Sequence, residues 1–429
     1  MTFFQLATLF VCLVAAGGWV NTRTLRLPHG VAMLFVGAAG ALAVAAMQWL
    51  SPGLASTRAV AAAVAGIDFP KAVLGYLLGF LLFAGAMQVD LSELRRRSLS
   101  VWTLATVGVV ASTAIVGLGV WLAAGWLGLA LSLPWALVFG ALISPTDPVA
   151  VLATLKRGQL SPALRVVLQG EALFNDGVGI VIFTGLVAFA SGALPSPGQA
   201  LFQVVLQAAG GLALGLMAAM AVIWATRLID DYVVEVSLSL ALAMGVYAGA
   251  QALHLSGPIA AVGAGLLIGD SRGGETMSPV TREHLTSFWH LIDELLNAVL
   301  FFLLGLLLLV IPLQVRLGGL ALAAIALVLA ARIIVVLPWG AYFHIRHEER
   351  GANAILVWGG LHGALSVALA LSLPPVAAKP LILAATYAVC AFSVAVQGIT
   401  FAPLAARAGR ARAHRETRQK RPEATPRPG

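Results

Sequence analysis

The sequence predicts an all-α polytopic membrane protein of about 13 transmembrane helices, and three observations carry that prediction. Hydrophobic residues make up 60% of the chain and charged residues only 10%, with a mean hydropathy of +0.95, the balance of a chain that lives in lipid. Apolar runs long enough to cross the hydrocarbon layer recur from end to end. Positive charge alternates between odd and even connections, as the positive-inside rule demands of a correctly counted set of spans.

The runs fall at roughly 3–20, 29–50, 70–89, 99–125, 131–154, 163–190, 200–226, 233–253, 256–270, 287–310, 317–343, 353–373 and 380–405. The first has no basic residues ahead of it, as a cleaved leader would, so it reads as a retained span. Connections after odd spans carry Arg23 and Arg26; Arg95, Arg96 and Arg97; Lys156, Arg157 and Arg165; Arg227; Arg272 and Arg282; Arg346 and Arg350. Connections after even spans hold only Arg58, Lys71, Arg316 and Lys379. The odd connections therefore face the cytoplasm, the N-terminus lies outside and the C-terminus inside.

Residues 1–406 form the membrane domain on this reading, and 407–429 a basic cytoplasmic tail expected to be disordered. The net charge of +8 is then an orientation signal, and no nucleic-acid partner is implied. Cys12 and Cys390 both fall inside spans, where they read as small apolar residues and suggest neither a disulfide nor a metal cluster. No cofactor is called for.

Thirteen spans divide as six, one and six, and the odd separation sends the second six into the membrane in the opposite sense, as in an inverted repeat. Corresponding spans share an interruption. Span 5 carries Pro145 and Pro148, and span 12 carries Gly359, Gly360 and Gly363 around His362. Paired interrupted spans point to a binding site near the midplane, because unwound backbone needs partners there. The half-helix ends also carry partial charges, which Asp147 and a positive group near span 12 could offset.

Chemistry concentrates beside those breaks. Span 5 holds Ser144-Pro145-Thr146-Asp147-Pro148, and span 6 holds Glu171, Asn175 and Asp176 in an otherwise apolar helix. Ionisable residues at membrane depth mark function by default. Glu171 and Asn175 share one helix face, with Asp176 about 100° further round. An alkali cation needs hard oxygen ligands and a proton carrier needs a carboxylate, so Asp176 and Asp147 suit both. A carboxylate that holds either ion makes the two compete, and competition with alternating access suffices for exchange. Glu171, turned away from Asp176, reads as a structural partner. Asp293, Glu294 and Asn297, at the expected start of span 10, either guide ions into a cytoplasmic funnel or are acids favoured by a helix N-terminus. Arg332, deep in span 11, is assigned to a structural ion pair, since alone it would cost roughly 3 kcal/mol. Glu235, His254 and Asp270, near span ends, read as solvated.

Five runs together resemble the NhaP-type sodium/proton antiporters of the first monovalent cation:proton antiporter family: FLLFAGAMQVDL (80–91), LISPTDPVAVLATLKR (142–157), LQGEALFNDGVGIVIF (168–183), FWHLIDELLNAVLFFLLG (288–305) and WGGLHGALSVALALSLP (358–374). The resemblance implies 13 helices with crossed, discontinuous helices 5 and 12. It implies a mobile core, here around 131–190 and 353–405, moving against a scaffold that dimerises, and a homodimer in the bacterial inner membrane. It implies that Asp176 binds the cation, that Thr146 and Asp147 contribute through carbonyl and water, and that Asn175 organises the site. Exchange of one sodium ion for one proton, electroneutral through the Asn-Asp pair, is the implied activity, with potassium as the alternative cation. The match departs at Ala84 and Ala172, where some members add a glutamate and a serine as ligands. It departs also at His362, where the family usually has an arginine that pairs with the glutamate at position 171. His362 would then face Glu171, or would instead hydrogen-bond free backbone at the helix break.

Two other classes are weaker. An intramembrane aspartyl protease would use Asp147 and Asp176, but its Gly-x-Gly-Asp motif is missing, Leu267-Ile268-Gly269-Asp270 being the nearest run. An ATP-driven pump would need a phosphate-binding loop, and none of Lys71, Lys156, Lys379 and Lys420 follows a glycine.

Overall fold

A computed structural model of the chain describes residues 3–50, 66, 68–147, 160–192, 197–271, 277–309, 317–347 and 351–419. Helices occupy all thirteen expected positions. They are α1 (Phe3–Val20), α2 (His29–Leu50), α3 (Lys71–Met87), α4 (Ser98–Trp126), α5 (Leu133–Ile143), α6 (Pro162–Ala190) and α7 (Pro197–Thr226). There follow α8 (Tyr232–Ala252), α9 (Gly257–Ser271), α10 (Pro279–Leu306), α11 (Gly318–His347), the split pair α12a (Ala352–Trp358) and α12b (Ala364–Ser372), and α13, from Lys379 to Gln419 with a π turn at Ser393–Gln397. Among the described residues, eight of these are long and apolar enough to cross a membrane. The chain is an all-α polytopic membrane protein with an inverted repeat.

Local sequence explains the helix starts. Ser161 and Ser278 each cap a helix whose first residue is proline, and their hydroxyls accept from Leu164 N–H (3.1 Å) and Thr281 N–H (3.2 Å). Proline at that position loses no hydrogen bond and has the helical φ already set. Between α8 and α9 the expected junction is present: His254 turns left-handed at φ 57°, and Leu255 N–H reaches back to the Ala250 carbonyl.

Two boundaries differ from the sequence reading. The helix holding Asp293 begins at Pro279, not near 287, because its first turns carry Arg282, Glu283 and His284, which a search for apolar runs leaves out. The last helix continues past 406 to Gln419, its alanine, arginine, glutamate and glutamine being strong helix formers. Pro148, Lys156 and Arg157, with the second half of span 5, lie outside the described residues, as do Arg58, Arg272, Arg316, Arg350 and the tail beyond 419.

The helices pack as two bodies. In one, α4, α5, α6, α11, α12 and α13 pack on one another, so α4 and α11 join the helices of 131–190 and 353–405. In the other, α2 packs along α10, α3 and α7 along α9, and α8 against α9 and α10. Each half of the repeat contributes three consecutive helices to the first body. The interrupted helix, α5 or α12, is the middle one of each three.

Candidate functional site

Two unwound segments meet inside the first body. Ser144 closes the helix of span 5, and Pro145–Asp147 carries no regular structure; span 12 is open between Trp358 and Ala364. The Asp147 amide donates to the Leu361 carbonyl at 2.6 Å, so the unwound backbones satisfy each other. The Asp147 carboxylate lies against the start of α12b, close enough that a Cβ on Gly363 would stand 2.6 Å from Asp147 Oδ2. Only glycine permits that approach. It brings a negative charge to a helix N-terminus, where the dipole favours it.

The opposite end charge is met from α11. Arg332 donates from Nη1 and Nη2 to the two oxygens of Glu171, the Nη2 bond being 2.9 Å. The same side chain donates from Nε (3.2 Å) and Nη2 (2.9 Å) to the Leu356 carbonyl, one of those that the end of α12a leaves without a helical N–H partner. Arg332 thus ties α6, α11 and α12 together. The structural ion pair expected for it, and for Glu171, is present.

His362 does not face Glu171. Its Nδ1 lies 3.1 Å from the Pro145 carbonyl, its amide donates to Ser393 Oγ (2.9 Å), and Ser393 Oγ donates to Gln397 Oε1 (2.6 Å) in the π turn of α13. Arg332 already occupies Glu171, so the imidazole takes the other role open to it, a partner for free backbone at the break.

Above the crossing, Asn175 is buried and clamps span 5. Its Nδ2 donates to Thr146 Oγ1 (2.9 Å), and the Thr146 amide donates to Asn175 Oδ1 (3.4 Å). Asp176, the next residue, turns instead into a cavity of about 400 Å³ lined also by Thr146, Asp147, Gly363 and Ser366. Among the described residues no hydrogen-bond donor reaches its carboxylate. Two carboxylates on one cavity repel, and a cation or a proton between them relieves the repulsion. Four site residues singled out in the sequence, Thr146, Asp147, Asn175 and Asp176, are therefore together. Glu171 and His362 are buried behind them and do not line the cavity.

The cavity extends between the two bodies. Its far wall is formed by Asp293, Glu294 and Asn297 of α10, whose position well inside the helix removes the dipole explanation for the acids. Gln88, Gln169, Arg165 and His290 also line it, and sequence reasoning missed them. Gln88 and Gln169 lie within the family-like runs but carry no charge to draw attention. Ala172 is on the wall, whereas Ala84 is buried away from it. His254 and Asp270 are exposed as expected, but Glu235 is not: it is 3% exposed, with Oε1 accepting from Thr281 and Oε2 without a partner. The early turns of α10 cover it.

A protein-family profile described as "Sodium/hydrogen exchanger, transmembrane" matches residues 7–407. The chain is 38% identical over 412 residues to the Na(+)/H(+) antiporter NhaP of Pseudomonas aeruginosa, covering 94% of this chain and 96% of that protein. It is 33% identical over 347 residues to the Na(+)/H(+) antiporter NhaH of Halobacillus aidingensis, covering 80% and 84%. The fold superposes on that of the sodium proton antiporter MjNhaP1 from Methanocaldococcus jannaschii with a TM-score of 0.69 and 18% identity, over 95% of this chain and 99% of the other.

Proposed function

The chain belongs to the sodium/hydrogen exchanger family, and on that premise we propose that Asp176 is the residue that alternately carries the cation and the proton. The protein is a secondary antiporter, not an enzyme, and exchanges sodium for protons across the membrane by alternating access. Asp147 supplies a second charge and, with Thr146, further oxygen for an alkali cation, partly through water; Asn175 holds Thr146 in place. Glu171 and His362 organise the site from behind.

The observation that carries this reading is the Asp176 carboxylate, facing the cavity beside Asp147 with no donor among the described residues. An ionised Asp176 attracts a hard monovalent cation, and protonation removes the charge and releases it. Either ligand neutralises the residue. The first body can then move against the second with one ion or the other aboard, whereas a bare buried carboxylate holds it back. One carboxylate serving both ions makes the exchange one for one and electroneutral.

Sodium is the cation that the family assignment gives. Potassium is the second reading, favoured by Ala172, which puts a methyl on the cavity wall where some relatives offer a hydroxyl. We place the protein as a homodimer in a bacterial inner membrane, with the N-terminus outside and the tail cytoplasmic. Asp293, Glu294 and Asn297 would then line a funnel open to the cytoplasm. A cytoplasm-dependent reporter fused after Ala413 should be active and a periplasm-dependent one silent; the reverse would overturn the orientation. Dequenching of a proton-sensitive dye in everted vesicles, with sodium, lithium and potassium added in turn, tests the activity. Sodium-dependent proton movement is expected, and none with any cation would defeat the reading.

A further inference from the structure

The wall of the cavity opposite Asp176 belongs to the body formed by α3 and α10. There Gln88 Nε2 donates to Asp293 Oδ2 (3.2 Å), and Asn297 Nδ2 donates to Asp293 Oδ1 (2.9 Å) and to the Asp293 carbonyl (2.9 Å). Asp293 and Asn297 are each 8% exposed, and both line the cavity.

The two amides commit only their nitrogens. Among the described residues, neither Gln88 Oε1 nor Asn297 Oδ1 accepts a hydrogen bond, although Asn297 is more than nine-tenths buried and part of the cavity wall. A carboxylate has about four lone-pair sites, of which two are used here. The result is a group of hard oxygens, one charged and two neutral, locked in orientation by their own hydrogen bonds. Oxygen donors of that kind suit a monovalent alkali cation or its first waters, and not a soft metal. Gln88 is exposed, so water meets its Oε1; Asn297 is buried, and its Oδ1 is left without a protein donor on the cavity wall.

We propose that Asp293, with the amide oxygens of Gln88 and Asn297, forms a second cation-binding post on the cavity wall facing the Asp176 site. The proposal rests on the exchange site assigned above. It adds an asymmetry that one site cannot give. The post belongs to the second body, and Asp176 to the first. When the two bodies shift, the post keeps its place while Asp176 leaves it. The post therefore loads Asp176 only in the state in which the cavity lies between them, and raises cation affinity on one face of the membrane alone.

Binding is read on the purified full-length protein, by thermal stabilisation with sodium chloride against choline chloride. Asp176→Asn, which removes the main site, should keep a weak sodium-dependent stabilisation, and Asp176→Asn/Asp293→Asn should lose it. In vesicles of defined orientation, Asp293→Asn should keep the maximal exchange rate but raise the KM for sodium about tenfold, or about 1.4 kcal/mol of binding, on the cavity face only. Asp293→Glu should recover it. Should Asp293→Asn not fold, Gln88→Leu at the exposed edge serves instead and should raise the same KM. The post is overturned if Asp176→Asn shows no sodium-dependent stabilisation, if KM is unchanged in the folded variants, or if KM rises equally on both faces. Full exchange by Asp176→Asn would instead defeat the main site, a separate result.

Discussion

Glu171 of α6 and Arg332 of α11 form a two-pronged ion pair inside the membrane-spanning bundle, and the same guanidinium caps the broken end of α12a through the Leu356 carbonyl. Both residues are buried, at 2% and 7% exposure, so neither charge has water to fall back on. Breaking such a pair from one side costs about 3–5 kcal/mol, most of it the price of the stranded charge. Arg332→Met should therefore lower the melting temperature in detergent sharply, and Glu171→Leu in the same protein should recover much of the loss. Arg332→Lys should not restore it, since an ammonium cannot serve Glu171 and Leu356 in the same planar fork. A single variant that melts like the parent would show that the pair does not hold the three helices.

His362 provides the second test. With Glu171 already occupied, a histidine–glutamate pair that titrates between α6 and α12 has no partner left. His362→Arg should consequently give no stabilisation confined to alkaline pH. His362→Leu should cost about 1–3 kcal/mol by leaving the Pro145 carbonyl unpaired at the crossing. Melting curves from pH 6 to 9 measure both. Selective alkaline stabilisation by His362→Arg would restore the pairing that the structure argues against.

What could be read from the sequence followed from the cost of polarity in lipid. Thr146, Asp147, Asn175 and Asp176 were legible because a carboxylate or a helix break at membrane depth has few innocent explanations. The pairing of Arg332 was legible as a need, but not its partner, since two helices far apart in sequence meet only in three dimensions. The resemblance leaves His362 either facing Glu171 or bonding free backbone at the break, and Arg332 on α11, by taking Glu171, leaves it the second role. Glu235 reads as solvated because it lies near the end of span 8, while the span that covers it is taken to start only near 287. Here α10 starts about two turns earlier, and its Thr281 donates to the carboxylate. The same hidden turns put Asp293 in mid-helix and not at a helix start.

A surface prediction concerns Asp90, which caps the short helix Leu91–Arg96 between α3 and α4. Its carboxylate accepts from the Ser92 hydroxyl (2.7 Å) and from the amides of Ser92 (2.9 Å) and Glu93 (3.1 Å). The Ser92 hydroxyl above all, then the Glu93 amide, hold its pKa below the ordinary aspartate value of 3.8. A depressed carboxylate pKa gives stability that is complete above the unfolded value and lost as pH falls through the folded one. Asp90→Ala should thus cost about 1 kcal/mol of local stability at pH 7, as caps typically do. The difference from the parent should fade below about pH 4. Hydrogen exchange at the Ser92 and Glu93 amides measures it, and a difference that persists unchanged in acid would contradict the capping role.

The most direct test of the account is proton movement driven by sodium in everted vesicles containing Asp176→Asn. The variant keeps the shape of the side chain and loses its negative charge and its ability to take up and release a proton. It should reach the membrane at the parent's level, melt at a similar temperature, and show no sodium-dependent dequenching at any pH from 6 to 9. Exchange near the parent's rate by this variant would contradict the claim that Asp176 carries both ions.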